Sequence, residues 1–349
     1  MRIVFDNIAF SLQKAGGVSI VWANLLINIP NKSVLMFLEY SNDNIFRKKI
    51  KLTHNKLRYK NLYYPKYQRL INVRLKYKEK FIFHSSIYRI CNNKHAINIV
   101  TVHDLIDRLY NRNIFTRTLR WILMKRSILK ANAVVCVSKN TRNDLMKMIP
   151  NLDSSKVHVI HNGKSDDYKF LNEISEEKCI LYVGNRKGYK NFKSVVKALE
   201  ITNNYRIIIV GGGRLKTNEK KLLSKIGHNR YMHYPYTTNE ELNILYNKAF
   251  CLVYPSVYEG FGIPVLEAQA AGCPVIALDR STMPEILKNS GLLLKDGNPE
   301  TIANAIISLE DKSLRKQYQE LGFINSNKYN WKTMSDKYYQ LYHELWKNN

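Results

Sequence analysis

Two glutamates, with glycines and a proline between them, form the motif with the clearest chemical meaning. The stretch YEGFGIPVLEA, residues 258–268, holds Glu259 and Glu267 with seven residues between them. Pro264 fits the first turn of a helix. Backbone N–H groups at a helix start suit a phosphate or sugar hydroxyls, and a carboxylate accepts two hydrogen bonds from vicinal hydroxyls. An acidic helix start is the structural alternative, but apolar neighbours around Glu267 disfavour it, because burying an unpartnered carboxylate is costly.

A basic loop is the second candidate site. A predicted strand ends in Gly184, Arg186 and Lys190 follow it, and a helix is predicted to start near Asn191. Two cations beside a helix N-terminus would form a diphosphate clamp. A solvated basic loop explains the same spacing equally well, so the pattern alone leaves both interpretations open.

Two weaker signals lie in the first half of the chain. Gly16-Gly17 follows the first predicted strand and enters a helix, so its N–H groups could face a phosphate, although such a pair is commonly only a turn. His103-Asp104 follows another strand, at a position that lines ligand crevices in open α/β sheets. His103 would contact a sugar or assist proton transfer there, and a structural His-Asp pair is the alternative.

Short apolar runs alternate with helical patterns along the whole chain, which predicts parallel sheets covered by helices on both faces. The predicted strands are residues 2–5, 33–38, 80–84, 97–102, 133–137, 179–183, 206–210, 250–254 and 274–277. The predicted helices are residues 17–29, 116–129, 191–200, 240–248 and 264–271. The fold class is therefore α/β.

A length of 349 residues favours two domains. An apolar strand ends at Asn162-Gly163, a turn signal, and the polar run 164–178 reads as a linker. We therefore expect an N-terminal domain over residues 1–164 and a C-terminal domain over residues 165–330. Residues 331–349 predict a closing helix that packs back on the N-terminal domain.

Several classes of protein are excluded by missing patterns. Gly211-Gly212-Gly213 is followed by Lys216 where the dinucleotide fingerprint needs glycine, so a nicotinamide or flavin enzyme is rejected. There is no Walker motif, and the five scattered cysteines indicate free thiols in a reducing compartment rather than zinc ligands. The sequence shows no signal peptide and no membrane span, which predicts a cytoplasmic protein.

The positive charge is concentrated in the first half, where residues 1–164 hold 30 Lys and Arg against 8 Asp and Glu. This asymmetry favours a negatively charged partner. Residues 56–80 interleave nine cations with five tyrosines, and residues 108–130 add seven cations. Both segments suit an anionic bilayer surface, here the inner face of the cytoplasmic membrane, and a solvated face is the alternative. No nucleic-acid-binding motif accompanies the charge.

Taken together, the motifs resemble the retaining glycosyltransferases of family 4, which have the GT-B fold of two facing Rossmann-like domains with a cleft between them. The resemblance covers nearly the whole chain, and its motifs come in the family's order. These are Gly16-Gly17, His103-Asp104, Ser138, Asn162-Gly163, Gly184 to Lys190, Gly211 to Gly213, and Glu259 to Glu267. The family's arginine normally follows the strand-end glycine directly, whereas here Asn185 intervenes before Arg186.

The resemblance also implies a role for each candidate residue. Glu267 would hold the nucleotide ribose, and Arg186 and Lys190 would neutralise the diphosphate. His103 would contact the sugar near the reacting centre. Catalytic roles would thus fall to His103, Glu259, Arg186 and Lys190, and donor binding to Gly16, Gly17, Arg186, Lys190, Glu259, Gly260, Phe261, Gly262, Ile263 and Glu267. The family needs neither a metal nor a cofactor.

The implied function is transfer of a hexosyl or N-acetylhexosaminyl group, with retention, from a sugar nucleotide to a glycan or lipid-diphosphate-linked glycan. A UDP-sugar is the first expectation for the donor and a GDP-sugar such as GDP-mannose the second. Bacterial relatives of this size build O-antigen, capsule or lipopolysaccharide. A sugar-nucleotide epimerase of the same fold is the alternative, which the basic first half disfavours because an epimerase needs no acceptor.

Overall fold

The computed structural model describes residues 1–30, 35–51, 57–59, 71–110, 113–174 and 176–348. The chain divides into two compact units, and each unit holds one parallel sheet. The first unit comprises residues 1–163 and 331–349, and the second comprises residues 164–330. The predicted fold class, an α/β protein with two parallel-sheet domains, is confirmed.

In the first unit, the described strands form a sheet in the order β3-β2-β1-β4-β5-β6-β7. Their bounds are β1 Ile3–Asp6, β2 Leu35–Glu39, β3 Leu57–Tyr59, β4 Phe81–Ser85, β5 Ala96–Val102, β6 Ala133–Cys136 and β7 Val157–Val159. The helices are α1 Ala9–Leu12, α2 Gly17–Asn28, α3 Ile45–Lys48, α4 Ile106–Tyr110, α5 Ile114–Lys130 and α6 Lys139–Met148. Strands β1, β4 and β6 are wholly buried, as expected for a parallel sheet covered on both faces.

The last helix of the chain belongs to the first unit. It spans Trp331–Asn348, packs on α2, and sends buried tyrosines to the central strands. The Tyr342 hydroxyl lies 2.7 Å from His84 Nδ1, and the Tyr338 hydroxyl lies 3.1 Å from Thr101 Oγ1. The tyrosines of this helix therefore serve both as core residues and as hydrogen-bond partners for polar groups inside the sheet.

In the second unit, the described strands form a sheet in the order β10-β9-β8-β11-β12-β13. Their bounds are β8 Glu177–Val183, β9 Arg206–Val210, β10 Tyr231–Tyr234, β11 Ala249–Tyr254, β12 Val275–Leu278 and β13 Leu292–Leu294. The helices are α7 Phe192–Ile201, α8 Thr217–Leu223, α9 Asn239–Lys248, α10 Ile263–Ala270, α11 Met283–Leu287, α12 Pro299–Ser308 and α13 Lys312–Ser326. With this numbering the C-terminal helix Trp331–Asn348 is α14.

The polar run 164–178 is not a free linker, and this prediction was wrong. Lys164 forms a bridge with Asn330 inside the second unit, and Glu177 already begins strand β8. Between them, Asp167, Lys169 and Leu171 are bound to helix α9 by asparagine side chains. Part of the run is therefore fixed within the second unit.

Candidate active site

The segment after β11 brings the two glutamates of the motif to helix α10. Gly262 occupies the N-cap of this helix with φ +96°, and a Cβ built there would lie 2.5 Å from the Met283 methyl carbon. The backbone conformation therefore favours glycine, and the flexible end of the Met283 side chain lies against it. Pro264 lies in the first turn, as the sequence indicated. Glu259 thus precedes the helix, and Glu267 lies one turn inside it.

Glu259 forms a buried ion pair with Lys190, a pairing that the sequence did not predict. The two side chains are only 10% and 11% exposed, and Lys190 Nζ also lies 3.2 Å from the Tyr254 hydroxyl. Burial alone would lower the pKa of Lys190, but Tyr254 and Glu259 outweigh it and hold this pKa above its ordinary value. The ammonium group therefore stays charged at neutral pH.

The main chain around Glu259 is also fixed. Ser281 Oγ accepts a hydrogen bond from the Glu259 N–H at 3.1 Å and donates one to the Glu259 carbonyl at 2.7 Å. Gly260 is buried, and the Phe261 ring packs edge-to-face on Tyr329 with centroids 5.8 Å apart. Because the Phe261 ring is used in packing, any contact of this residue with a ligand would come from its main chain.

Glu267 is a buried carboxyl group with tyrosine partners. It is 5% exposed, and the Tyr246 hydroxyl lies 3.2 Å from its Oε2. Burial raises the pKa of Glu267 to about 7, although hydrogen bonds from Tyr246 and Tyr168 lower it. A buried carboxyl group with few protein donors can still accept hydrogen bonds from a ligand.

Arg186 points into the glycine-rich loop after β9. Its guanidinium donates to the Gly211 carbonyl at 2.6 Å and to the carbonyls of residues 212–214 at 3.1 to 3.3 Å, and Nε lies 3.0 Å from Glu219 Oε2. The side chain is 2% exposed. The buried Nε is in ion-pair contact with Glu219 but has no hydrogen-bond partner among the described residues. The diphosphate contact stays a prediction for Arg186 and for Lys190.

The predicted phosphate turn of the first unit lies where expected, at the start of α2. Gly16 is the N-cap of that helix, and the Gln13 carboxamide oxygen accepts from the Ser19 N–H at 3.3 Å. A Cβ at Gly17 would meet nothing within 4 Å. Gln13, which was not among the predicted site residues, therefore accepts a hydrogen bond from one N–H group of the helix N-terminus. The space beside Gly17 is open.

His103 directly follows β5, and no hydrogen-bond partner for its buried Nε2 is found among the described residues. Burial lowers the pKa of His103 to about 4, while a hydrogen bond to the Ser86 backbone opposes this shift. The imidazole is therefore neutral at pH 7. The carboxylate of the neighbouring Asp104 accepts a hydrogen bond from the Ile106 N–H at 3.0 Å.

Across the described ranges, no cluster of three or more His, Cys, Asp and Glu side chains could hold a metal ion. In the same part of the chain, no helix is both long and apolar enough to cross a bilayer. All five cysteines are buried free thiols, as the sequence indicated.

Comparison with known proteins matches both halves of the chain. Residues 164–323 match the family model "Glycosyl transferases group 1", and residues 50–167 match "Glycosyltransferase Family 4". The O-antigen chain mannosyltransferase RfbU of Salmonella typhimurium is 31% identical over 236 residues, which are 63% of this chain and 64% of the relative. O-antigen chain mannosyltransferase B of Escherichia coli is 26% identical, over 60% of this chain and 59% of the relative. The alignments thus span less than two thirds of either relative.

The fold also matches a solved structure. Anabaena HepE in complex with UDP and glucose has a TM-score of 0.78 and 15% identity, with 99% of this chain and all of that chain covered. At this level of identity the match establishes the fold alone. The two family models together match residues 50–323, and the chain belongs to the family 4 glycosyltransferases with the GT-B fold.

Proposed function

We propose that the protein transfers a hexosyl group from a sugar nucleotide to a glycan acceptor, with retention and without a metal. The observation that supports this proposal is the arrangement around α10. Glu267 is a buried carboxyl group within the helix, and the buried Lys190–Glu259 ion pair lies just before the helix begins. Glu267 would hold the ribose hydroxyls, and Glu259 with the main chain of residues 260–263 would hold the sugar. Lys190 would neutralise the diphosphate as it leaves.

The mannosyltransferase names of the two curated relatives support a mannose donor. They favour GDP-mannose, the second of the two donors expected from the sequence, over a UDP-N-acetylhexosamine. O-antigen synthesis is the corresponding proposal for the pathway. Within the first unit, the open space beside Gly17 would accept part of the diphosphate, and the unpartnered Nε2 of neutral His103 would accept a hydrogen bond from a sugar hydroxyl.

Product stereochemistry tests this function. With a sugar nucleotide and a lipid-diphosphate-linked glycan, we expect proton NMR to show the donor's anomeric configuration in the product, and EDTA to leave the rate unchanged. The physical reason is that Lys190 and main-chain donors replace a metal at the leaving group. An inverted product, or loss of transfer with EDTA, would overturn the proposal.

The same measurement without acceptor tests the epimerase alternative. An epimerase would change the configuration of the free sugar nucleotide, whereas a transferase would release free nucleotide in step with added acceptor. We therefore expect the acceptor-free sample to keep the donor's configuration throughout.

We further propose that the first unit contacts an anionic membrane at the inner face, where a lipid-linked acceptor would lie. Within segment 56–80, residues 56 and 60–70 lie outside the described residues. Helix α5, within segment 108–130, exposes Ile114 at 68%, Phe115 at 78% and Ile122 at 56%, and it exposes Arg126 and Lys130 toward its C-terminal end. Apolar and basic side chains on one exposed helix suit the headgroup region of an anionic bilayer.

Liposome flotation tests this contact. Replacing Phe115 and Ile122 with serine should reduce the partition coefficient into anionic vesicles at least ~100-fold, because each buried apolar side chain contributes roughly 1.5–3 kcal/mol. Ile324 in the second unit is also exposed, at 60%, so Ile324→Ser is the matched control and should float like the wild type. Equal flotation of all proteins, or equal flotation with neutral vesicles, would contradict the contact.

A further inference from the structure

Helix α9 carries an asparagine ladder, which we define as Asn239, Asn243 and Asn247. The spacing of four residues puts all three side chains on one face of the helix. The contacts of the ladder are Asn239 Nδ2 to Asp167 Oδ2 at 2.7 Å, Lys169 N to Asn243 Oδ1 at 3.0 Å, Asn247 Nδ2 to Lys169 O at 3.0 Å, and Leu171 N to Asn247 Oδ1 at 2.8 Å. Residues 167–171 are therefore fixed along the helix.

The ladder fixes one aromatic side chain beside the predicted ribose site. Tyr168 lies in the bound segment and is 4% exposed, and its ring packs edge-to-face on Tyr246 with centroids 5.8 Å apart. Its hydroxyl lies 3.3 Å from Asn239 Oδ1. Both tyrosine hydroxyls also act on the Glu267 carboxyl group, where their hydrogen bonds favour the ionised form. The candidate binding group thus depends on a segment nearly a hundred residues earlier in the chain.

Each tyrosine hydroxyl has one proton and two acceptors within reach. Tyr246 can donate to the Pro264 carbonyl or to Glu267, both at 3.2 Å, and Tyr168 can donate to Asn239 or to Glu267. A hydrogen bond to an ionised carboxylate is stronger than one to a neutral oxygen. Both protons therefore turn toward Glu267 when it is ionised, and this orients the carboxylate.

Other titratable groups reach this cluster only through the two tyrosines. Asp167 and Glu240 act on Tyr168, and Cys273 acts on Tyr246. None of these groups is a cation. Within the described structure, the tyrosine hydroxyls are thus the protein groups that favour a negative charge on Glu267.

We propose that Tyr168 and Tyr246 are positioning residues for the Glu267 carboxylate, and that the asparagine ladder holds Tyr168 in place for this task. The proposal rests on the proposed function, in which Glu267 binds the nucleotide. Tyr246 contacts Oε2 of Glu267 at 3.2 Å, and Tyr168 packs on the Tyr246 ring, so the carboxylate is oriented and keeps acceptor capacity for the vicinal hydroxyls of a ribose.

The test is Tyr168→Phe, which keeps the ring and removes the hydroxyl. Affinities for UDP and for GDP are measured separately by calorimetry between pH 5.5 and 8.5. We expect the affinity of the better nucleotide to fall about tenfold at pH 7, as for the loss of one hydrogen bond to a charged group. The midpoint of the pH dependence should move upward, because the lost donor favoured the ionised form. Tyr246→Phe should change both quantities in the same direction.

Tyr205→Phe is the matched control. Tyr205 is also buried in the second unit, and its hydroxyl donates to a different carboxylate, Glu310, at 2.8 Å. Its loss should leave nucleotide affinity and the pH midpoint unchanged. A shift in the midpoint equal to that of Tyr168→Phe would assign the effect to general loosening of the unit and overturn the proposal.

The ladder is tested by Asn243→Ala, alone and combined with Tyr168→Phe. If Asn243 acts through Tyr168, the double variant should bind like Tyr168→Phe alone, so that the two losses are not additive. Additive losses would overturn the role of the ladder.

Glu267→Ala distinguishes a failure of the proposed function from a failure of the positioning proposal. If Glu267→Ala binds nucleotide as well as the wild type, the proposed function fails at this residue. If Glu267→Ala loses binding while Tyr168→Phe and Tyr246→Phe keep the wild-type affinity and midpoint, the positioning proposal alone fails.

Discussion

Replacing Glu267 with alanine is expected to lower nucleotide affinity at least ~100-fold and to leave the chain folded. In the proposed complex the carboxylate accepts two hydrogen bonds from the ribose, and each such bond to a charged group contributes roughly 1.5–3 kcal/mol. The folded state should tolerate the change, because burial disfavours the charged carboxylate in the free protein. Calorimetry with UDP and GDP measures the loss, and circular dichroism measures the fold.

Gln269→Ala is the matched control for this variant. Gln269 lies on the same helix, is 2% exposed, and bonds to Ser290 and Asn325 instead of facing the tyrosines. We expect it to lower the unfolding free energy while nucleotide affinity stays near the wild-type value. Equal loss of affinity in both variants would mean that α10 tolerates no change, and would leave Glu267 without a specific role.

The ionisation of Glu267 is expected to change protein stability and nucleotide affinity in opposite directions as the pH rises. In the folded protein the pKa of Glu267 is about 7, whereas the ordinary pKa of a glutamate is 4.5. The contribution of Glu267 to the free energy of unfolding is therefore fully present below pH 4.5 and is lost as the pH rises through 7. Nucleotide affinity should instead increase over the same interval, since the ionised form accepts the ribose hydroxyls. Affinity that falls with rising pH would contradict the assignment.

Lys190→Met is expected to abolish detectable transfer and to lower the unfolding free energy by about 3–5 kcal/mol, the usual cost of leaving one charge of a buried pair uncompensated. The Lys190 and Glu259 side chains are only 11% and 10% exposed, so solvent screens the attraction between their charges weakly. Urea denaturation of the full chain measures stability, and release of nucleotide in the presence of acceptor measures transfer.

Two further variants separate the stability effect from the chemical one. Lys190→Met combined with Glu259→Gln removes both charges, so we expect part of the stability to return while transfer stays absent. Lys316→Met removes one member of an exposed pair with Glu320, whose side chains are 76% and 62% exposed, and should change neither quantity. Transfer by the double variant at the wild-type rate would exclude both residues from the reaction.

The regular elements of both sheets could be predicted from the sequence. Residues 206–210 were predicted as a strand and form β9, and the predicted helix 240–248 differs by one residue from α9. Apolar runs of four to seven residues and helical periodicity are local properties, so they need no tertiary information. Several elements were not predicted: the short elements β10, β13 and α8, and the longer helices α6, α12 and α13. The stability of the short elements comes from packing rather than from their own composition.

The position of the candidate site could also be predicted, since the glycine, proline and glutamate spacing of residues 258–268 is a local pattern that specifies a helix start. The sequence therefore determined where the two glutamates stand relative to α10. The assigned roles of Glu259 and Glu267 in donor binding stay predictions until the variants above are measured.

The partners of the charged residues were decided only by the tertiary structure. Lys190 and Glu259 lie 69 positions apart, and their pairing depends on which strand ends meet at one edge of the sheet. The guanidinium of Arg186 bonds to the loop after β9, and these carbonyls converge on it only once the sheet is formed. Its contact with a diphosphate stays a prediction. The run 164–178 was predicted as the linker, yet Lys169 and Leu171 bond to α9, since the amides that bind them come from another part of the chain. A sequence pattern specifies what a residue can donate or accept, and the fold specifies which partner comes within about 3 Å of it.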